Sequence, residues 1–153
     1  MKKVAISACL MGFRCRYDAT DNLNKDLLEQ LKNFKLVPFC PEDYAFGSPR
    51  PTMDLIKNKK SLDAISNATG ESLSQPIIEY AQAFFDAHPD LELFIGKDRS
   101  PSCGVNSAKI YNSDKKLLST KGTGLMAQEA KRRGIKSFDS EVYSNLKKKT
   151  TLK

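Results

Sequence analysis

Three short apolar runs in this chain each end at a cysteine. Val4-Ala5-Ile6-Ser7-Ala8 leads into Cys9, and Leu36-Val37-Pro38-Phe39 leads into Cys40. Leu91, Leu93, Phe94 and Ile95 lead through Gly96 into a polar turn, Lys97 to Gly104, that carries Cys103 at its tip. Apolar runs of this length, bounded by turn-forming residues, read as buried strands. Between the first two, Leu23, Leu27, Leu28 and Leu31 fall on one helical stripe, with Thr20 or Asp21 placed to cap its start. A strand, helix, strand order favours a parallel pair joined by a right-handed crossover. The carboxyl ends of parallel strands share one edge, and that edge is where open α/β sheets bind ligands. Cys9, Cys40 and Cys103 are therefore expected together, although they lie far apart in the chain.

The remaining elements fit the same fold. The stretch after Cys40, with Pro41, Gly47, Pro49, Arg50 and Pro51, reads as a long loop, of a length that is usually functional or disordered. Residues 57–72 are weakly patterned and suggest a small hairpin or an insertion, and Leu73, Ile77, Ile78, Ala81, Phe84 and Phe85 mark an amphipathic helix from Glu71 to Ala87. Short strands are expected at Ala108 to Tyr111 and at Leu117-Leu118. Gly122-Thr123-Gly124 opens a helix from Leu125 to Arg133 that Gly134 stops. Ile135 to Phe138 forms a further strand, and Ser140 caps a last helix. The expected fold is a single three-layer, Rossmann-like α/β domain over residues 1–153 with a mainly parallel sheet and a basic tail at about 147–153.

A chain of 153 residues buries a core without staples. No stretch approaches the roughly 18 apolar residues of a membrane span, and Met1-Lys2-Lys3 leads directly into a strand rather than a signal peptide. A cytoplasmic protein is expected, with its four cysteines as thiols or metal ligands. The net charge of +7 is concentrated at Lys57, Lys59, Lys60, Lys131, Arg132, Arg133 and the tail lysines. This permits a phosphate-bearing partner, but the basic and aromatic interleaving of a single-strand binder is missing. Gly122-Thr123-Gly124 before a helix is a weak candidate for presenting N–H groups to phosphate.

Convergent thiols favour zinc or an iron–sulfur cluster, but no spacing here matches a ferredoxin run or a paired zinc ribbon. Cys15, in mid-loop, could be a fourth ligand. Glu42 lies two residues beyond Cys40 and Ser100 three before Cys103, a carboxylate and a hydroxyl suited to proton transfer beside a metal. Arg16, Arg50, Lys97 and Arg99 are candidate anion partners. His88, the only histidine, precedes Pro89 at a helix end, so histidine-based triads are excluded. A non-catalytic module that binds zinc, nucleotide or RNA is the competing reading.

Several segments together resemble a known family. Ile6-Ser7-Ala8-Cys9-Leu10-Met11-Gly12 with Cys15-Arg16-Tyr17-Asp18, Val37-Pro38-Phe39-Cys40-Pro41-Glu42 with Pro49-Arg50-Pro51, Lys97 to Gly104 with Ile110-Tyr111, and Gly122-Thr123-Gly124 are similar to the bacterial thiouracil desulfurases. The resemblance implies an oxygen-sensitive 4Fe-4S cluster held by three cysteines, Cys9, Cys40 and Cys103, with one iron left open. It implies replacement of the thiocarbonyl sulfur of a thiolated pyrimidine by oxygen from water, with Glu42 and Ser100 handling protons and Arg16, Asp18, Arg50 and Ser102 contacting substrate. The implied substrate is a small thiopyrimidine, its nucleotide, or thiouridine in tRNA. Cys15 falls outside the implied ligand set. The chain departs from the family pattern in lacking a double glycine between Asp43 and Ser48 and in carrying Asp54 where glutamate is usual, both expected at the substrate mouth.

Overall fold

The computed structural model describes residues 1–151. In chain order the elements are β1 (Lys3–Ser7), a 3-10 turn (Ala8–Met11), α1 (Lys25–Gln30), β2 (Lys35–Phe39), α2 (Pro41–Phe46), β3 (Met53–Asn58) and β4 (Ser61–Ser66). They continue with α3 (Ser74–Ala87), β5 (Leu91–Gly96), β6 (Ala108–Tyr111), β7 (Leu117–Gly122), α4 (Leu125–Arg132), β8 (Lys136–Asp139) and α5 (Ser140–Thr151).

The expected parallel sheet is present, in the order β2-β1-β5-β8. Strand order reverses at β1, whose neighbours are the next strand in sequence on one side and β5 on the other. A ligand crevice is expected outside the carboxyl ends at such a switch point. A second sheet, β4-β3-β6-β7, combines two antiparallel pairs through a parallel β3–β6 contact. Its strands read locally as hairpins, and their joining into one sheet depends on a pairing between residues 55 and 110 that no local pattern announces.

The pleat of β1 divides the core. Val4 and Ile6 face Leu27 of α1, Leu31 just after it and Tyr143 of α5, whereas Ala5 joins Phe39 and Phe94 against Ala81, Phe85, Met126 and Ala130 of α3 and α4. Phe39 and Phe94 stack with ring centroids 4.8 Å apart. Ile77 and Leu125, on the other faces of α3 and α4, pack with Met53, Leu55, Ala64 and Ala108 of the second sheet. Helices α3 and α4 thus lie between the two sheets, and the α/β/α sandwich carries an additional β layer.

Local chemistry corrects several boundaries. Helix α1 starts at Lys25 because Asn24 caps it, its Oδ1 accepting from Leu27 N at 3.0 Å. Thr20 and Asp21 serve the preceding loop instead, and Leu23 lies outside the helix, exposed. The proline-rich stretch after Cys40 contains the short helix α2, with Pro41 at its first position, where a missing N–H leaves no helical bond unmade. The first part of the basic tail, Lys147 to Lys149, belongs to α5; Lys153 lies outside the described residues. No described helix is long and apolar enough to cross a membrane.

Candidate functional site: a cavity walled by four thiols

Beyond the carboxyl ends of β1, β2 and β5 lies a cavity of about 420 Å³, lined by Cys9, Cys15, Cys40 and Cys103 together with Ser7, Arg16, Glu42, Arg50, Lys97 and Ser100. Its size is within the ~300–1,000 Å³ common for small-molecule sites. Cys9 belongs to the 3-10 turn after β1, Cys40 precedes α2, and Cys103 stands on the loop after β5. All four cysteines are free thiols. Cys15, which the mid-loop position and the resemblance both set apart, is here as well, its side chain hydrogen-bonded to those of Cys9 and Cys40.

The Cys103 loop is the most heavily braced part of the site. Ser100 Oγ accepts from Ser102 N at 3.2 Å and from Cys103 N at 3.0 Å, which closes the turn. Asp139, buried at the end of β8, accepts from Val105 N at 2.7 Å, Asn106 N at 2.8 Å and Ser107 Oγ at 2.8 Å. Lys131 Nζ donates to Val105 O at 2.9 Å and Asn106 Oδ1 at 2.7 Å. Two glycines let other elements close on this loop. A Cβ at Gly96 would stand 1.8 Å from Cys103 O, and one at Gly124 would stand 2.5 Å from the Ser102 carbonyl carbon. The start of α4 then docks on the loop, with Leu125 N donating to Pro101 O at 3.0 Å and Met126 N to Ser102 O at 2.8 Å. Those N–H groups are spent on the cysteine loop, so the Gly122-Thr123-Gly124 segment does not present them to a phosphate.

Glu42, in the first turn of α2, accepts from Ser102 Oγ at 2.8 Å and lies 3.6 Å from Arg50 Nε. Arg50 Nη1 donates to Gly47 O and Ser48 Oγ, while its buried Nε has no hydrogen-bond partner. Ser102, expected against substrate, is fully buried behind Glu42 and does not line the cavity. Asp18, expected there too, turns into its own loop and accepts from Thr20 N and Oγ1. Asp54 pairs with Lys115 at 3.3 Å on the second sheet, away from the cavity. The cationic run at residues 131–133 is engaged within the fold, since Arg133 Nη1 pairs with Asp86 at 2.9 Å and Arg132 with Glu129.

The thiols differ in acidity for reasons visible in their contacts. The hydrogen bond from Cys15, aided by Asn22, Lys97 and Arg16 against the opposing effect of burial, lowers Cys9 to about 7. Cys40 is lowered by Cys15 in the same way, with help from the Asp43 amide and Arg50. Cys15, hydrogen-bonded to Cys40 and Cys9 and buried, is pushed up and stays a thiol. Burial raises Cys103, and a hydrogen bond from Ser7 only partly offsets it. Among the described residues no three His, Cys, Asp or Glu side chains are gathered tightly enough to hold a single metal ion. The four thiols line one cavity.

A model of the 2-thiouracil desulfurase family matches residues 4–141. The chain belongs to that family. This desulfurase-family chain is also 27% identical to the uncharacterized protein YbbK of Bacillus subtilis (strain 168) over 154 residues, 94% of this chain and 99% of the relative. The solved structure of a 4Fe-4S-dependent thiouracil desulfidase, TudS, superposes on it with a TM-score of 0.73 at 25% identity, covering 100% of both chains.

Asn22, Tyr80, Lys131 and Asp139 support the cavity wall and have no local signature in the sequence. Ser7 Oγ accepts from Lys97 N at 2.9 Å and is hydrogen-bonded to Cys103; Tyr80 accepts from Cys40 N at 3.2 Å. Ser7 was within reach of a sequence reading, as the last residue of a strand that ends at the site. Tyr80 sits mid-helix, 40 residues from its partner.

Proposed function

We propose that this chain is an iron–sulfur-dependent desulfurase that hydrolyses the thiocarbonyl of a small thiolated pyrimidine, C=S plus water giving C=O plus hydrogen sulfide. No net electron transfer is required. The observation that carries the reading is the gathering of four free thiols around one cavity with a carboxylate and a hydroxyl in its wall, in a member of the 2-thiouracil desulfurase family. Cys9, Cys40 and Cys103, from three strand ends, are the cluster ligands in this reading. Thiolates are the ligands that iron–sulfur clusters use, and a catalytic metal site needs a coordination position that the protein does not occupy permanently. When bound, the cluster supplies a Lewis-acidic iron soft enough for sulfur.

The chain's own residues do the rest. Glu42, oriented by Ser102 and Arg50, accepts a proton from the attacking water. Ser100 holds its oxygen against two backbone amides, which leaves its O–H to donate toward the departing sulfur. Arg16 and Arg50, which both line the cavity, contact the pyrimidine's polar edge.

Anaerobic reconstitution followed by iron, sulfide and 2-thiouracil turnover assays tests this reading. About four irons per chain, the content of a 4Fe-4S cluster, with loss of thiocarbonyl absorbance is the expected result. Glu42→Gln and Ser100→Ala keep the iron and lose turnover by ~100-fold or more, the usual scale for removing an acid or base. Parallel assays with 4-thiouridine monophosphate and thiolated tRNA rank the substrates. Failure to retain iron after reconstitution would exclude the cluster reading.

A further inference from the structure

Cys15 is the one thiol of the cavity to which the proposed reaction gives no task. It is 6% exposed, it lines the cavity, and it is hydrogen-bonded to two of the three cysteines assigned as ligands. Cys40 Sγ also donates to the Cys15 carbonyl at 3.6 Å. The three strand-end cysteines are anchored through their backbones: Cys9 O accepts from Asn22 N at 2.9 Å, Cys40 N donates to Tyr80, and Cys103 N donates to Ser100. Cys15 instead occupies the irregular segment between the 3-10 turn and α1, beside a turn closed by Arg16 N and Thr20 O at 3.1 Å. It lines the same cavity from a segment outside any helix or strand.

Four thiolates are the ordinary complement of a 4Fe-4S cluster. A three-thiolate site leaves one iron without a protein ligand, and this cavity contains a fourth sulfur. We propose that Cys15 is an exchangeable fourth thiolate, which closes the vacant coordination position between turnovers and yields it to the thiocarbonyl sulfur of the substrate. The inference rests on the cluster reading above. Exchange breaks one iron–sulfur bond and forms another, moves no electron, and leaves a Cys15 thiolate that takes a proton from water. The resulting thiol returns to Cys9 and Cys40, the contacts described here. Both ligands are soft sulfur donors, so the exchange is finely balanced.

Oxidative loss of iron tests this without reference to turnover. The native chain, Cys15→Val and Cys15→Ala are reconstituted anaerobically and their iron and sulfide are counted first. Valine keeps the buried site filled, so the fold is preserved in at least one variant. Each sample is then oxidised with one equivalent of ferricyanide, which takes one electron from the cluster and lets an iron without a thiolate leave as Fe²⁺. The three-iron product is read by electron paramagnetic resonance. It is expected to form ~10-fold more slowly in the native chain than in either variant, the scale on which a lost supporting ligand weakens a metal site. Equal rates overturn the proposal. A shifted cluster potential with unchanged iron loss also overturns it, because Cys15 would then be only an S–H donor to Cys9 and Cys40. If no preparation holds four irons, the cluster reading itself fails, and this is seen before any oxidant is added.

Discussion

At the scale of single residues, one thiol shapes the acidity of two others. Cys15 donates into Cys9 and Cys40, so in the metal-free chain Cys9 ionises at about 7 rather than at the ordinary 9.0. Its alkylation rate, followed by peptide mapping, should rise as pH passes through about 7 and level off above it. In Cys15→Ala that midpoint should move up. The sign of the linked stability follows from the folded value being the lower one. The contribution is complete above the unfolded value of 9.0 and is lost as pH falls through about 7. Asp139 is the second decisive residue. Asp139→Ala would leave two backbone amides and the Ser107 hydroxyl without their acceptor, and a loss of about 2–3 kcal/mol in urea unfolding is expected.

Among the elements, α4 and the Cys103 loop form one unit. The first N–H groups of α4 are bonded to Pro101 and Ser102 carbonyls, and Gly124 is the contact that allows it. Gly124→Ala would push the helix from the loop, costing about 1–3 kcal/mol as an overpacked contact does, and lowering the iron retained after reconstitution. The sequence alone makes the strand-end cysteines legible, because a strand is a local event and its end a local signal. Glu42 and Ser100 are legible for the same reason, each standing within three residues of a cysteine. The bracing is not. Lys131 reads as part of a solvated basic run, and only the folded chain brings its ammonium to Val105 and Asn106. Asp18 and Ser102 show the converse: both lie in motifs, yet Asp18 is spent on Thr20 and Ser102 on Glu42. Neighbours in sequence identify the region of a site, whereas side-chain direction decides which of them reach its cavity.

At the scale of the whole molecule, the proposed ligands come from chain segments around residues 9, 40 and 103, so a bound cluster would tie three separate parts of the fold together. A group that binds only the folded state stabilises it, and the reconstituted protein should unfold at a higher temperature than the metal-free chain, by calorimetry under argon. Loss of that difference in Cys103→Ser, with Cys15→Ser keeping most of it, would separate permanent ligands from the exchangeable one. The brace at Asp139 has a further consequence for how the protein is made. A chain emerging from the ribosome displays Cys9, Cys15 and Cys40 before Cys103, and the loop that carries Cys103 lacks the carboxylate that holds Val105 N and Asn106 N until residue 139 has been added. The loop is fully braced only once β8 has been made, so iron and sulfide should be installed after residue 139 has emerged and not before it.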